Sequence, residues 1–374
     1  MFYSRSVTEH LALYPQLLLM YNGIIKIGNP SVSVPVLFDT GSCQLWIEKS
    51  LLGKSSTYVS QNRVAPTISY LDGTVVDGFF SNDDVTIGNT TVRNLEFETA
   101  TSIRGDLQSV EDPIRAIMGL CYSGRGSSST NFIEASVASR LMTNRLFSYY
   151  VEEHSKSAVL TFDDVVQKNG TVGDIVYSPI DSSSSSWGLT MTKMSIGNVT
   201  VLTEETTAVV DTGTSLVIVP SDIALNVGKL LNFSFRNGYF TGACKNVLNR
   251  TLSLSFYNMD LSLPLENLML SEDGISCTST VIEGSPGLIV LGNAFLKHFL
   301  TVFDADKARV GFISRSNGSF IDPSQNGPTD KNIGNDDWKN ITAYVFVAVV
   351  SLGVFTSIIL LLRSFYRSYR FSEV

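Results

Sequence analysis

Two aspartates stand in nearly identical sequence settings far apart in the chain. Asp39 lies in the run Leu-Phe-Asp-Thr-Gly-Ser, and Asp211 lies 172 positions later in the run Val-Val-Asp-Thr-Gly-Thr. Each run is followed by two apolar residues and a glycine, at Gly119 (80 positions after Asp39) and at Gly292 (81 positions after Asp211). One Asp-Thr-Gly tripeptide means little, because many turns contain it. Two copies of the tripeptide, each followed at a similar distance by two apolar residues and a glycine, indicate an internal repeat.

Two carboxyl groups held close together can hydrolyse an amide. Without a metal or a covalent intermediate, one group must deprotonate water and another must protonate the carbonyl oxygen. Adjacent carboxylates cannot both ionise easily, so they share a proton and together supply both functions. The two pKa values then belong to the pair. The residues alone do not assign the base to Asp39 or to Asp211.

Other kinds of catalytic site find little support in the sequence. A serine triad needs a positioned histidine, but His10, His154 and His298 lie in no nucleophile context, and Gly-x-Ser-x-Gly occurs only loosely around 123–127. No histidine pair has the spacing of metal ligands. We therefore expect neither a metal nor a cofactor.

Length and charge limit the remaining classes. The 374 residues, of which 44% are hydrophobic, can bury a large core and predict two domains or one large bilobal one. The net charge of −8 would repel phosphates, so we expect no nucleic-acid partner.

The elements around the motifs have the pattern of strands. Short β-branched and aromatic runs, such as 34–38, 189–196 and 252–256, alternate with Gly, Asn, Asp and Ser turns. This pattern predicts an all-β chain. Helical patterns are few, at 131–144 and 221–231.

At these motifs the chain resembles the pepsin-like (A1) aspartic proteases, from about residue 21 to residue 313. Tyr21-Asn22-Gly23-Ile24 resembles the family's first strand, and Ile68-Ser69-Tyr70 with Asp72-Gly73 resembles its flap hairpin. The resemblance implies two similar β-lobes related by a pseudo-two-fold axis, with a cleft for an extended polypeptide between them. It also implies inhibition by pepstatin-like compounds, and we expect a monomer.

The resemblance assigns a role to each motif residue. Asp39 and Asp211 would be the catalytic pair, a shared-proton arrangement for which aspartic proteases are the standard illustration. Tyr70 and Gly73 would lie on a flap that closes over the substrate, and Trp46 would support Tyr70 through its indole N–H. The pair would be supported by hydrogen bonds and tight turns of the two motifs, at Thr40, Gly41, Ser42, Thr212, Gly213 and Thr214.

The four cysteines predict two disulfides. Cys244 and Cys277 fall where the family carries a bridge in the second lobe. Cys43 and Cys121 each follow a motif element, at Asp39 and Gly119, whose strands should be neighbours, so we predict a Cys43–Cys121 bridge beside the active site. The alternative is two buried free thiols.

Two positions depart from the family pattern. Leu71 follows the flap tyrosine where glycine is common, and Asn293 follows Gly292 where aspartate is frequent. Neither touches the aspartate pair. These departures concern specificity and activation rather than the type of reaction.

The C-terminal part of the chain predicts a membrane anchor. Residues 341–362 contain no charged residue, and about 20 apolar residues span a bilayer as a helix. Arg363, Arg367 and Arg370 follow the span, and basic residues stay cytoplasmic. We therefore expect a single-pass type I protein with a lumenal or extracellular body. Six usable glycosylation sequons fit this topology, at Asn89, Asn169, Asn198, Asn232, Asn249 and Asn317.

These observations give one organisation of the chain. It comprises a first β-lobe (1–172), a second β-lobe (173–315), a polar linker (316–340), a transmembrane helix (341–362) and a cytoplasmic tail (363–374). The function it predicts is a membrane-anchored aspartic endopeptidase active in acid. The alternative is a catalytically inactive relative that binds peptides or serves as a scaffold at the membrane.

Overall fold

The computed structural model describes residues 9–16, 20–105, 114–122, 131–152, 157–165, 170–181, 184–236, 238–271, 273–316 and 319–323, with the backbone alone for 9–16 and 323. These residues are mostly strand, which confirms the all-β class and agrees with a pepsin-like bilobal fold. None of the helices among them is long and apolar enough to cross a membrane. The predicted transmembrane helix at 341–362 lies outside the described residues.

The strands are numbered in chain order. They are β1 (Glu9–Gln16), β2 (Met20–Ile27), β3 (Val32–Asp39), β4 (Leu45–Glu48), β5 (Val59–Val64), β6 (Ile68–Ser69), β7 (Val75–Ile87), β8 (Thr90–Arg104), β9 (Ala116–Gly119), β10 (Leu146–Val151), β11 (Ala158–Phe162), β12 (Thr171–Pro179), β13 (Gly188–Ile196), β14 (Val199–Leu202), β15 (Thr206–Val210), β16 (Val217–Pro220), β17 (Ser234–Arg236), β18 (Tyr239–Ala243), β19 (Thr251–Phe256), β20 (Met259–Pro264), β21 (Met269–Leu270), β22 (Ser276–Ser279), β23 (Val281–Gly284), β24 (Ile289–Leu291), β25 (Phe299–Asp304), β26 (Arg309–Arg315) and β27 (Phe320–Pro323).

Three sheets contain these strands. The largest has 14 strands in the order β12-β26-β25-β10-β11-β1-β2-β3-β9-β4-β8-β7-β5, with β6 paired to β7. The second has nine strands in the order β23-β16-β24-β15-β13-β19-β20-β27, with β14 paired to β13, and the third has the order β17-β18-β22-β21. The largest sheet therefore joins strands from the start of the described chain (β1 to β3) to β25 and β26 near its end, whereas the last strand, β27, pairs with β20 in the second sheet. The lobe boundaries at 172 and 315 stay a prediction.

The helices are short. They are α1 (Phe132–Ala138), α2 (Ser221–Leu230) and α3 (Asn293–Leu296), and 3-10 turns lie at Lys49–Leu51, Cys244–Asn246 and Leu265–Leu268. Asn131 caps α1, since its side-chain oxygen accepts from the backbone N–H of Glu134 at 2.9 Å. The helix predicted at 131–144 is too long. The chain leaves the helix after Ala138, and Arg140 then takes a left-handed φ of 58°.

The core is built from strands with two kinds of burial. Strands β19 and β20 alternate buried residues with half-buried or exposed ones, as expected where one sheet face is covered. By contrast, every residue of β25 is buried. Strand β3 changes along its length, and its last four residues are all buried as it approaches Asp39. Asp39 therefore lies at the end of a fully buried stretch of strand.

Candidate active site

The two Asp-Thr-Gly motifs follow equivalent strands in two sheets. Strand β3 ends at Asp39 and pairs in parallel with β9, while β15 ends one residue before Asp211 and pairs in parallel with β24. The backbone of each aspartate is held by this neighbour. Leu120 N–H donates to the Asp39 carbonyl at 2.7 Å, and Asp211 N–H donates to the Leu291 carbonyl at 3.1 Å.

Gly119 and Gly292 allow the chain to cross close to each motif. A Cβ atom on Gly119 would lie 2.4 Å from the backbone carbon of Cys43, and one on Gly292 would lie 2.3 Å from the Leu216 carbonyl oxygen. Gly119 N–H donates to the Gln44 carbonyl at 3.0 Å. No side chain fits at either crossing. The nearly equal spacing of the two glycines from their aspartates therefore reflects the same crossing made twice.

The two motifs are joined by reciprocal hydrogen bonds through their threonines. The backbone N–H of Thr40 donates to the Thr212 hydroxyl at 3.1 Å, and the N–H of Thr212 donates to the Thr40 hydroxyl at 2.9 Å. Each hydroxyl also donates across to the other motif's strand, to the carbonyl oxygens of Val210 (2.9 Å) and Phe38 (2.7 Å). All four groups are buried. This arrangement locks the loops in one mutual position.

The carboxyl groups of Asp39 and Asp211 meet in a buried space. Both side chains are buried, and each carboxyl group lies against the glycine of the other motif. Each accepts from the N–H two residues on, at Gly41 and Gly213, both at 2.8 Å. A Cβ on Gly213 would lie 2.2 Å from Asp39 Oδ1, and one on Gly41 would lie 2.7 Å from Asp211 Oδ2. Each glycine thus leaves room for the other motif's carboxylate.

The environment of Asp39 favours its protonated form. Burial, and then the negative charge of Asp211, raise the pKa of Asp39 well above its usual value. The N–H of Gly41 and the hydroxyl of Ser42 oppose this rise. The pair is therefore arranged to hold a proton.

The hydroxyls of Ser42 and Thr214 are placed differently. Thr214 Oγ1 donates to Asp211 Oδ2 at 2.6 Å. The Ser42 hydroxyl is close enough to Asp39 to lower its pKa, yet it has no hydrogen bond of good geometry among the described residues. Of these two residues, both predicted to support the pair, only Thr214 makes a side-chain hydrogen bond to an aspartate among the described residues.

Tyr70 lies at the tip of a hairpin beside the pair. Its N–H donates to the Thr74 carbonyl at 2.8 Å, and Gly73 turns the chain with a φ of +84°. The fully buried Trp46 donates its indole N–H to the Tyr70 hydroxyl at 2.7 Å. Burial, and then the charge of Asp39, raise the pKa of Tyr70, so its hydroxyl stays neutral. The structure therefore brings Tyr70, Gly73 and Trp46 to one side of the site.

Both predicted disulfides are formed. Cys43 and Cys121 have Cα atoms 4.8 Å apart, and Cys244 and Cys277 have Cα atoms 4.9 Å apart. The first bridge links the loop after Asp39 to the chain just beyond Gly119, where Cys121 N–H also donates to the Ser42 carbonyl at 2.9 Å. The alternative of free thiols at these positions is wrong.

Other predicted residues lie away from the pair. Among the sequons, the asparagines at 89, 198, 232 and 249 are exposed, whereas 169 and 317 lie outside the described residues. The described residues contain no cluster of His, Cys, Asp and Glu that could hold a metal ion.

Sequence reasoning missed a buried support behind the second motif. Asn293 donates from its side-chain nitrogen to the Thr212 carbonyl at 2.8 Å and accepts from the Tyr149 hydroxyl at 2.7 Å. Trp187 likewise donates to the Leu120 carbonyl, next to Asp39, at 2.7 Å. The position of Asn293 directly after Gly292 could have indicated its role, whereas nothing local to Tyr149 or Trp187 signals theirs.

Comparison with known proteins points in the same direction as the geometry. Residues 20–314 match the family model described as eukaryotic aspartyl protease. Rhizopuspepsin-3 of Rhizopus niveus is 28% identical over 311 residues, covering 78% of this chain and 77% of that protein. Pepsin-2B of Gadus morhua is 26% identical over 315 residues, covering 78% and 95%. Pepsin A of Gallus gallus is 27% identical over 310 residues, covering 78% and 83%.

Proposed function

The chain belongs to the eukaryotic aspartyl protease family and is an aspartic endopeptidase, and we propose that it cleaves peptide bonds with water activated by Asp39 and Asp211 acting as one pair. One carboxylate would take a proton from the attacking water while the other, carrying the shared proton, protonates the carbonyl oxygen of the scissile bond. The assignment of base and acid depends on where the proton resides.

One observation carries this proposal. Each buried carboxyl group accepts a backbone N–H of its own motif and lies against the glycine of the other, and the mutually hydrogen-bonded threonines hold that geometry. A relative that had lost catalysis would not need a buried pair of acids, whose burial costs free energy. Intact motifs therefore favour the endopeptidase over the inactive peptide-binding alternative.

The substrate we propose is a polypeptide bound in an extended conformation. Tyr70 on its hairpin would cover the substrate and keep bulk water from the pair. Extended backbone pairing tolerates varied side chains. Pepstatin-like inhibitors would compete for the same cleft.

The test of the function uses the full-length chain and a peptide library at pH 4–5. We expect cleavage that pepstatin inhibits, and Asp39→Asn and Asp211→Asn should each reduce kcat/KM by about 10²–10⁴-fold. Asp174→Asn, which makes the same change at an exposed residue of β12, 37 positions before Asp211, is the matched control and should keep normal activity. No cleavage at any pH would favour the binding or scaffold alternative.

We further propose that residues 341–362 anchor the enzyme as a type I membrane protein with its body in a lumen or outside the cell. The uncharged span, the arginines behind it and the exposed sequons at 89, 198, 232 and 249 support this topology. After carbonate extraction of membranes, the chain should remain in the pellet, and a glycosidase should reduce its apparent mass. Release into the supernatant, or an unchanged mass, would contradict the anchor or the lumenal body respectively.

A further inference from the structure

A second buried carboxyl group lies outside the catalytic pair. Glu98, in the middle of β8, is only 1% exposed. Neither of its side-chain oxygens has a hydrogen-bond partner in the part of the chain that the structure describes. A buried carboxylate without donors is costly, whereas the neutral acid is far less so. Glu98 therefore needs an explanation that a plain structural strand residue does not.

Glu98 lies beneath the flap hairpin (68–76). In the sheet it is directly opposite Trp46 on β4, the residue whose indole holds the Tyr70 hydroxyl. Trp46 and Tyr70 also belong to one small apolar cluster, together with Ala100, two residues along from Glu98. Glu98 therefore lies next to Trp46 and Ala100, which belong to the apolar cluster that Tyr70 packs against.

The second contact of Glu98 is with the strand that carries the flap hairpin. A Cβ on Gly78 would lie 2.9 Å from Glu98 Oε1, so this oxygen faces the Gly78 backbone. Gly78 follows a bulge in β7, whose first residues form one arm of the flap hairpin. A change in the charge of Glu98 would therefore affect the flap hairpin at two places: at Tyr70, through Trp46, and at Gly78 on β7.

The charged groups around Glu98 do not compensate it. Burial, and then the negative charge of Asp77 on β7, raise the pKa of Glu98 to about 7. The other charged groups nearby are paired among themselves. Glu96, on the same strand as Glu98, pairs with Arg63 of β5, Glu48 of β4 pairs with Arg115, and Asp77 pairs with Arg104. The charge of Glu98 in turn raises the pKa of Tyr70.

We propose that Glu98 is a positioning residue that couples closure of the flap hairpin to acid: its neutral form packs beneath Trp46 and Gly78, and its ionised form loosens the flap hairpin. The inference rests on the proposed function, since the flap hairpin matters because it covers the catalytic pair. The sign follows from linkage. A folded-state pKa near 7, above the ordinary 4.5, gives stability that is fully present below pH 4.5 and is lost as pH rises through 7.

The test is hydrogen exchange of the amides in 66–80, measured on the full-length chain at pH 5 and pH 7.5. Protection factors remove the intrinsic effect of pH on exchange. In the wild type we expect protection to fall by about tenfold or more between the two pH values. Glu98→Gln, which stays neutral, should change by less than about twofold. Glu98→Ala, which also lacks the charge, is the second variant if the glutamine chain does not fold.

Glu96→Gln is the matched control, because Glu96 lies two residues away on β8 and is paired with Arg63. It should behave as the wild type. Constant protection in the wild type, or an equal fall in Glu98→Gln, would overturn the proposal. The measurement does not depend on catalysis. An inactive chain whose flap hairpin responds to pH, and an active chain whose flap hairpin does not, would therefore be told apart.

Discussion

The Asp39 carboxyl group serves chemistry at the expense of stability. Burial and the neighbouring Asp211 both raise its pKa, so the fold prefers the protonated form. A group of this kind contributes stability below its unfolded pKa of about 3.8, and that contribution is lost as pH rises through the raised folded value. At neutral pH, folding of the wild-type chain therefore costs free energy, either because the ionised Asp39 carboxylate is buried or because it must take up a proton.

Asp39→Asn should remove this penalty. The asparagine oxygen can still accept from Gly41 N–H, but the side chain cannot ionise. We expect a Tm above the wild type at pH 7 and little difference at pH 4, with a gap of about 2 °C or more, since 1 kcal/mol corresponds to about 2–4 °C in domains of 150–250 residues. Scanning calorimetry from pH 4 to 7 measures this gap.

The control is Asp273→Asn, at a residue whose pKa is shifted in the opposite direction. Asp273 is exposed, and hydrogen bonds from the N–H groups of Ser276 and Ile275 lower its pKa. Its stabilising contribution is present above its unfolded pKa and is lost as pH falls, so Asp273→Asn should not raise the Tm at pH 7. A gap between wild type and Asp39→Asn that does not widen with pH would refute the account of Asp39.

At the scale of elements, the site depends on two crossings of the chain. Strands β9 and β24 each pass between a catalytic strand and the strand that follows it, pairing in parallel with one and antiparallel with the other. Gly119 and Gly292 are the points of closest approach. A side chain there would push the motif loop away from its partner.

Gly292→Ala should therefore destabilise the chain by about 1–3 kcal/mol or more, because its new methyl group meets backbone atoms that cannot rotate away. Activity should fall as well, since the loop of Asp211 must move. Denaturant unfolding gives the free energy. Gly53→Ala is the control, because its methyl group would meet one Val32 side chain. Equal stability of the two variants would show that the crossing tolerates a side chain.

The Cys43–Cys121 bridge fixes the first crossing covalently. It closes a segment of 78 residues, for which the loss of unfolded-state entropy corresponds to roughly 4 kcal/mol. Cys121→Ser should lower the free energy of unfolding by about that amount. Alkylation of the unreduced wild type should label none of its four cysteines, as measured by intact mass. Labelling at all four would refute both bridges.

The sequence reveals repeated features better than singular ones. The two Asp-Thr-Gly motifs and the matched glycines are visible because the chain makes the same structure twice, and the Cys43–Cys121 pair follows from that repeat. Glu98 could not be predicted in this way. Its position under Tyr70 arises because β8 pairs with β4 and β7, and pairing between distant strands leaves no local pattern. The contact of Tyr149 with Asn293 is hidden for the same reason.

On the scale of the whole molecule, the catalytic pair exists only because two distant segments meet. Thr40 and Thr212 are 172 positions apart, and their reciprocal hydrogen bonds join motifs that end strands of two different sheets. Neither motif alone has a partner carboxylate. We therefore predict that Asp39 and Asp211 act as a unit, so that removal of either carboxyl group should have the full effect on activity.

A double-mutant cycle on kcat/KM tests this central claim most directly. The wild type, Asp39→Asn, Asp211→Asn and the double variant are compared with one peptide substrate at the pH optimum. We predict that each single variant loses about 10²–10⁴-fold and that the double variant loses about as much as the worse single variant. Near wild-type activity in either single variant, or losses that multiply in the double variant, would contradict the account.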